Sequence, residues 1–321
     1  MGAARERGSH LTVGRGAELE NRRAPLRSEA RSSGRVLLAT MTVITLGSAA
    51  VSASPLLFPR IPHMLIPSWM HISLGTCLVW TIAHSVRLHG KRRTWAFFAL
   101  ALSVPTALEM TGVRWGFPSG LYGYTAPWRP VIAGVPLLIM MSWPVLIYAA
   151  WCAAGLVVRP DEHAGNRAGR AMGVFGTAGL AAGILVAQDI AIEMLANRLG
   201  WWRWLDYEGG GALYTLTGAT PANFVMWFGI GLVVVSAAQL TPARRQPDEV
   251  RRLRLAGLVF FCAVGVNLAL PVIAVVAALP GMLMLLLTAC VAGAALVGRQ
   301  LLSASSSSGS VTARQGLATA E

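Results

Sequence analysis

From about residue 36 to residue 298 the chain is a succession of apolar stretches, most of them near the ~20 residues that take a helix across a bilayer. The gaps between them alternate in character, one rich in arginine and the next rich in aromatic side chains. This pattern predicts an all-α, polytopic membrane helix bundle with about eight transmembrane segments, at 36–54, 67–86, 95–112, 131–157, 171–195, 221–239, 253–273 and 280–298. Pro271 and the Leu279-Pro280-Gly281 turn divide the last two, which would otherwise form a run too long for one helix. The helical domain is thus expected over 36–300. A basic tail (1–35) and a Ser-rich tail (301–321), both without hydrophobic periodicity, are expected to be disordered.

Orientation follows from the arginines, because cytoplasmic loops collect Lys and Arg. They gather in the first tail (Arg22, Arg23, Arg27, Arg31, Arg35), after segment two (Arg87, Lys91, Arg92, Arg93), after segment four (Arg159, Arg167, Arg170) and after segment six (Arg244, Arg245, Arg251, Arg252, Arg254). All of these gaps fall on one side, so both termini are expected in the cytoplasm of a multi-pass protein of the cell membrane. A composition of 55% hydrophobic and 13% charged residues fits that environment better than a soluble one. The formal charge of +13 then belongs to loops facing anionic lipid headgroups, and no nucleic-acid partner is implied. Cys77, Cys152, Cys262 and Cys290 all fall within apolar segments and read as packing residues.

Ionisable residues at membrane depth are costly, so each is a functional candidate. Glu109 lies near the outer end of segment three, and Gln188, Asp189 and Glu193 lie in the outer part of segment five. Asn223 opens segment six and His71 opens segment two, at the same level. Asp189 and Glu193 are four residues apart and share a helical face. Two such carboxylates in a poorly hydrated place cannot both ionise cheaply, and one is expected to hold its proton, as a general acid must. Glu193 has a plainer reading as a headgroup-level partner of Arg198 or Arg203, and His71 as a satisfied helix histidine.

The aromatic loops, Trp115 to Trp128 and Trp201 to Tyr214, read first as an interfacial belt. The arginine-rich side has far fewer aromatics, however, and ring faces above a site can stabilise a carbocation. The spans carry no metal-ligand spacing, and no nucleotide or dinucleotide fingerprint occurs, so no cofactor and no metal are expected.

Two ordered blocks carry a family resemblance. The first is Glu109-x-x-Gly112, Gly120-x-Tyr122-x-Tyr124, Gly134-Val135-Pro136, then Trp143 and Tyr148. The second is Asp189, Gly200-x-Trp202-x-Trp204 and Pro221-x-Asn223-Phe224-x-x-Trp227. Together they resemble the carotenoid biosynthesis protein family, which includes carotenoid 1,2-hydratases. Ile190 in place of the usual proline, the stretched Gly218-Ala-Thr-Pro221 and Met226 in place of a common glycine depart from the pattern and bear on the substrate more than on the fold.

The resemblance implies a cofactor-independent hydro-lyase that adds water across the terminal C1,C2 double bond of an acyclic carotenoid. Its partners would be that carotenoid, the bilayer and other enzymes of the pathway. On this reading Glu109, Asp189, Asn223 and Glu193 are the catalytic candidates, with Asp189 or Glu109 as the acid and the other acid or Asn223 positioning water. His71, Trp115, Tyr122, Tyr124, Trp143, Trp201, Trp204, Phe224 and Trp227 are the candidate substrate-binding residues. Carotenoid end cyclisation, which starts from the same protonation, and a non-catalytic carotenoid carrier or enzyme partner are the alternatives.

Overall fold

A computed structural model describes residues 36, 38–45, 47, 66–158, 167–205, 211–240 and 249–262. Helix α1 (Ile66–His89) and helix α2 (Lys91–Trp115) form a hairpin joined by a single residue, Gly90. The reversal needs a φ of 81° there, in the left-handed region where a Cβ is penalised. Strand β1 (Tyr122–Tyr124) follows, then β2 (Val131–Ile132), β3 (Val135–Pro136) and α3 (Leu137–Val157). The chain continues through α4 (Arg167–Leu199), β4 (Trp202–Trp204), the short α5 (Ala212–Thr217) and α6 (Pro221–Gln239), and is helical again over 249–262.

Among the described residues four helices are long and apolar enough to cross a membrane: Lys91–Trp115, Leu137–Val157, Ala171–Met194 within α4, and Pro221–Gln239. The expected second segment is the 24-residue helix α1, whose mixture of Ser, Thr and His residues leaves it outside that group. The expected first segment is helical over 38–45, and the seventh over its start, to residue 262. The eighth segment and both tails lie outside the described residues.

The all-α expectation needs two corrections. Segment four does not start at residue 131, because 131–136 is a β-hairpin pairing Val131 with Pro136 and Ile132 with Val135. Pro130 and Pro136 lack the N–H groups a helix would use, and Ala133 and Gly134 turn the chain at φ 49° and 87°. A second, two-stranded ribbon joins β1 to β4 in antiparallel register, Tyr122 opposite Trp204, Gly123 opposite Arg203 and Tyr124 opposite Trp202.

Close packing of α4 on α6 sets the site's depth. A Cβ at Gly231 would come within 2.9 Å of Ala182 Cα, so the helices approach through small residues, as in lipid-embedded bundles. The helices are antiparallel here, and Asp189 lies seven residues from Ala182 while Asn223 lies eight from Gly231. At ~1.5 Å rise per residue both are carried about 11 Å toward the same end, to one level. Trp143, Tyr148, Trp151 and Phe97 fill the core beside this seam. At the opposite, arginine-rich end, Arg93 Nε donates to Ala238 O (2.8 Å) and an Arg254 N–H to Gly155 O, capping the C-terminal carbonyls of α6 and α3. His84, fully buried, is held between Tyr148 Oη (2.8 Å) and Leu253 O (2.9 Å).

Candidate active site

Three carboxyl groups meet at the aromatic end of the helices. Glu109 stands near the end of α2, and Asp189 and Glu193 occupy successive turns of α4; all three side chains are at most 5% exposed. Asn223 joins two of them. It is in the first turn of α6, where Pro221 pre-sets the helical φ and Thr220 caps the helix by accepting from the Asn223 N–H (3.2 Å). Its side-chain Nδ2 donates to Asp189 Oδ2 (2.8 Å) and to Glu193 Oε1 (3.2 Å). The positive end of the 19-residue α6 therefore faces the two carboxyl groups, which favours negative charge there.

The β1–β4 ribbon closes over these groups. Side chains two apart on a strand share a face, so Tyr122 and Tyr124 of one strand lie beside Trp204 and Trp202 of the other. Both phenols donate to a single oxygen, Glu109 Oε2, Tyr124 at 2.6 Å and Tyr122 through a shorter bond. Both indoles donate to a single oxygen of Glu193, Oε2, Trp202 at 2.9 Å and Trp204 at 3.3 Å. The rings pack on one another, Tyr122 on Trp204 at 4.8 Å and Tyr124 on Trp202 at 5.8 Å between centroids. Burial, and then the charge of Glu109, hold both phenols far above the ordinary tyrosine range, so they remain O–H donors in the folded protein.

Glycine makes this arrangement possible. A Cβ on Gly112 would sit 2.8 Å from the Tyr122 ring and 2.9 Å from Ser119 Oγ, so only a bare backbone lets the ring lie on α2 and reach Glu109 one turn away. Thr220 is a second fastening, because its hydroxyl donates to Ser119 O and ties the loop before β1 to the start of α6.

The oxygens are unequally satisfied. Glu193 accepts three donors and Glu109 accepts two phenols beside Trp143, whereas Asp189 Oδ1 is buried without a hydrogen-bond partner among the described residues. Among the described residues no basic side chain pairs with any of the three acids. Each carboxyl lies near enough to another to act on it electrostatically, so full ionisation of all three would be costly.

The other candidates divide into two groups. Trp143 borders Glu109 and packs on Trp227 with ring centroids 4.1 Å apart and planes tilted by 39°, and Phe224 is buried one residue from Asn223. Trp201 turns away to pack on Trp128 at 5.1 Å, and it is Trp202 that reaches Glu193. Trp115 is not brought to the site: it is 69% exposed, with Arg114 over its ring. His71 is half-buried on the first turns of α1, and none of the carboxyl hydrogen bonds described above involves it. Glu193 does not reach outward to Arg203, whose side chain is exposed while Glu193 is enclosed by indole N–H groups. Trp202, Gly112 and Thr220 are missing from the sequence-based candidates. Trp202 and Gly112 had a signal, as fixed members of the G-x-W-x-W and E-x-x-G elements; Thr220 had none beyond its place before Pro221.

A family model described as carotenoid biosynthesis protein matches residues 68–296. No curated protein and no solved structure matches the chain.

Proposed function

The chain belongs to the carotenoid biosynthesis protein family, and on that premise we propose that it hydrates the terminal C1,C2 double bond of an acyclic carotenoid, with Asp189 as acid and Glu109 as the group that orients water. The observation behind this assignment is Asp189 Oδ1, the buried carboxyl oxygen with no partner among the described residues. The oxygens of Glu109 and Glu193 that take two ring donors each behave as acceptors, the pattern of a carboxylate. Asp189 spends only Oδ2 on Asn223 and keeps Oδ1 for a proton.

The reaction balances without a cofactor. The Asp189 O–H bond breaks as its proton forms a C–H bond at C2, and the π electrons leave a tertiary cation at C1. Water attacks C1 and forms the C–O bond, and its surplus proton passes to Glu109 and then returns to Asp189 through solvent. Glu109 Oε2 is held by the two phenols, with Trp143 beside the same carboxyl, and the proposal gives Oε1 the role of orienting the water. A carotenoid is an apolar rod of about bilayer length, so a reacting end at the aromatic end of the bundle lies where water is within reach.

In the same reading the protein is a multi-pass protein of the cell membrane with about eight spans, both termini and the arginine-rich end in the cytoplasm, and the carboxyl site in the opposite leaflet. Cells that make an acyclic carotenoid, with and without this chain, test the activity. A hydroxylated carotenoid that depends on the chain is the expected result. Cyclised pigment would identify an end cyclase, and unchanged pigment a carrier or partner protein; either overturns hydration.

A further inference from the structure

Two buried carboxylates, Glu109 and Glu193, take donors from one face of the β1–β4 ribbon, Glu109 from the O–H groups of Tyr122 and Tyr124 and Glu193 from the N–H groups of Trp202 and Trp204. Neutral donors of this kind orient a carboxylate and leave its charge in place. Among the described residues no Arg, Lys or His supplies the compensating charge. The end of α6 supplies only about half of one. The surrounding helices are apolar, and Asp189, which shares the Asn223 amide with Glu193, keeps Oδ1 buried and without a hydrogen-bond partner among the described residues. Negative charge, ring faces and apolar walls together select a weakly hydrated organic cation rather than a hydrated metal ion, which would lose more on leaving water.

We infer that the ribbon and its two carboxylates form a cation site that takes an apolar chain ending in a tertiary or quaternary ammonium group. This deepens the proposed function, because an ammonium nitrogen with two methyl groups carries the charge and the two methyl substituents of the C1 cation, though on a tetrahedral rather than a planar centre. A site built for a transient charge binds a stable mimic of it more tightly than a neutral ligand of the same shape. The inference also stands apart from hydration, since cyclisation passes through a similar cation and a carrier has no need for one.

The test uses the full-length protein in nanodiscs of zwitterionic lipid. Two probes are titrated at pH 7, a long-chain N,N-dimethylalkylamine, which is protonated there, and the hydrocarbon in which a C–H replaces the N–H⁺. Binding is read by calorimetry after subtraction of empty nanodiscs. The amine is expected to bind at least tenfold more tightly than the hydrocarbon, with that preference cut severalfold by Glu109→Gln. Glu193→Gln provides an independent second variant, and wild-type protein alone gives the primary comparison. Equal binding of amine and hydrocarbon to the wild type overturns the inference, as does a preference that survives both variants. A protein that prefers the amine yet yields no hydrated pigment keeps the cation site and loses the hydration assignment, so the two claims fail separately.

Discussion

Replacing Asp189 with Asn tests the acid assignment with little change of shape. The new side chain keeps an oxygen to accept from Asn223 Nδ2, the bond that Asp189 Oδ2 makes at 2.8 Å. The fold should therefore lose no more than ~1 kcal/mol, the net worth of one hydrogen bond and small beside the 5–15 kcal/mol that holds a domain folded. What disappears is the proton on Oδ1. General acid catalysis contributes about 10²–10⁴ in rate, which is roughly 2.7–5.4 kcal/mol of barrier at ~1.36 kcal/mol per tenfold. A structural effect and a catalytic one thus differ enough to be told apart. The assay is the initial rate of hydroxylated carotenoid formation in membranes holding matched amounts of wild-type and variant protein. The expected drop is about 100-fold or more, with membrane level and thermal midpoint near wild type. A rate within a few-fold of wild type would refute the assignment and shift attention to Glu109 or Glu193.

Other perturbations follow from the same geometry. Glu193→Gln leaves three donors facing an amide with one oxygen, so at least one buried N–H loses its acceptor; the thermal midpoint in detergent should fall by the equivalent of ~1–3 kcal/mol, where a headgroup-level Glu193 would show almost no change. Trp202→Phe should lower activity at least severalfold while Trp201→Phe, which touches no carboxyl, costs much less; the two rates measured side by side check the register of the ribbon. Gly231→Ala drives a methyl against Ala182 and should separate Asn223 from Asp189, lowering both stability and turnover, whereas Gly229→Ala, with nothing within 4 Å of the added carbon, should be silent.

Helical segments were legible because apolar runs of membrane length leave a chain few alternatives, and Lys91–Trp115 and Pro221–Gln239 fall close to the expected 95–112 and 221–239. The hairpin at 131–136 was hidden by its own composition. Val131, Ile132 and Val135 are as apolar as the helix they precede, and only Pro130, Gly134 and Pro136 mark the break. The depth of the acids was readable from position along each segment, and the sharing of Asn223 by Asp189 and Glu193 was not, because it depends on how closely α4 and α6 pack at Gly231. The ribbon was the largest gap. Its strands are three residues long and about eighty residues apart, too short for a strand signal, although the alternation Tyr-x-Tyr and Trp-x-Trp already grouped the side chains that meet. Glu193 was expected at the headgroups because arginines flank it in sequence, and that ribbon is what encloses it instead.

The central claim is that water itself is added across a double bond by proton transfer. Purified protein in nanodiscs, given an acyclic carotenoid in H₂¹⁸O and, separately, in D₂O, tests it by mass spectrometry of the product. The account predicts one ¹⁸O in the new hydroxyl and one deuterium fixed on carbon for each end hydrated, with the rate of formation about 100-fold or more lower in the Asp189→Asn protein. Oxygen drawn from O₂, or a product isomeric with the substrate, would contradict it.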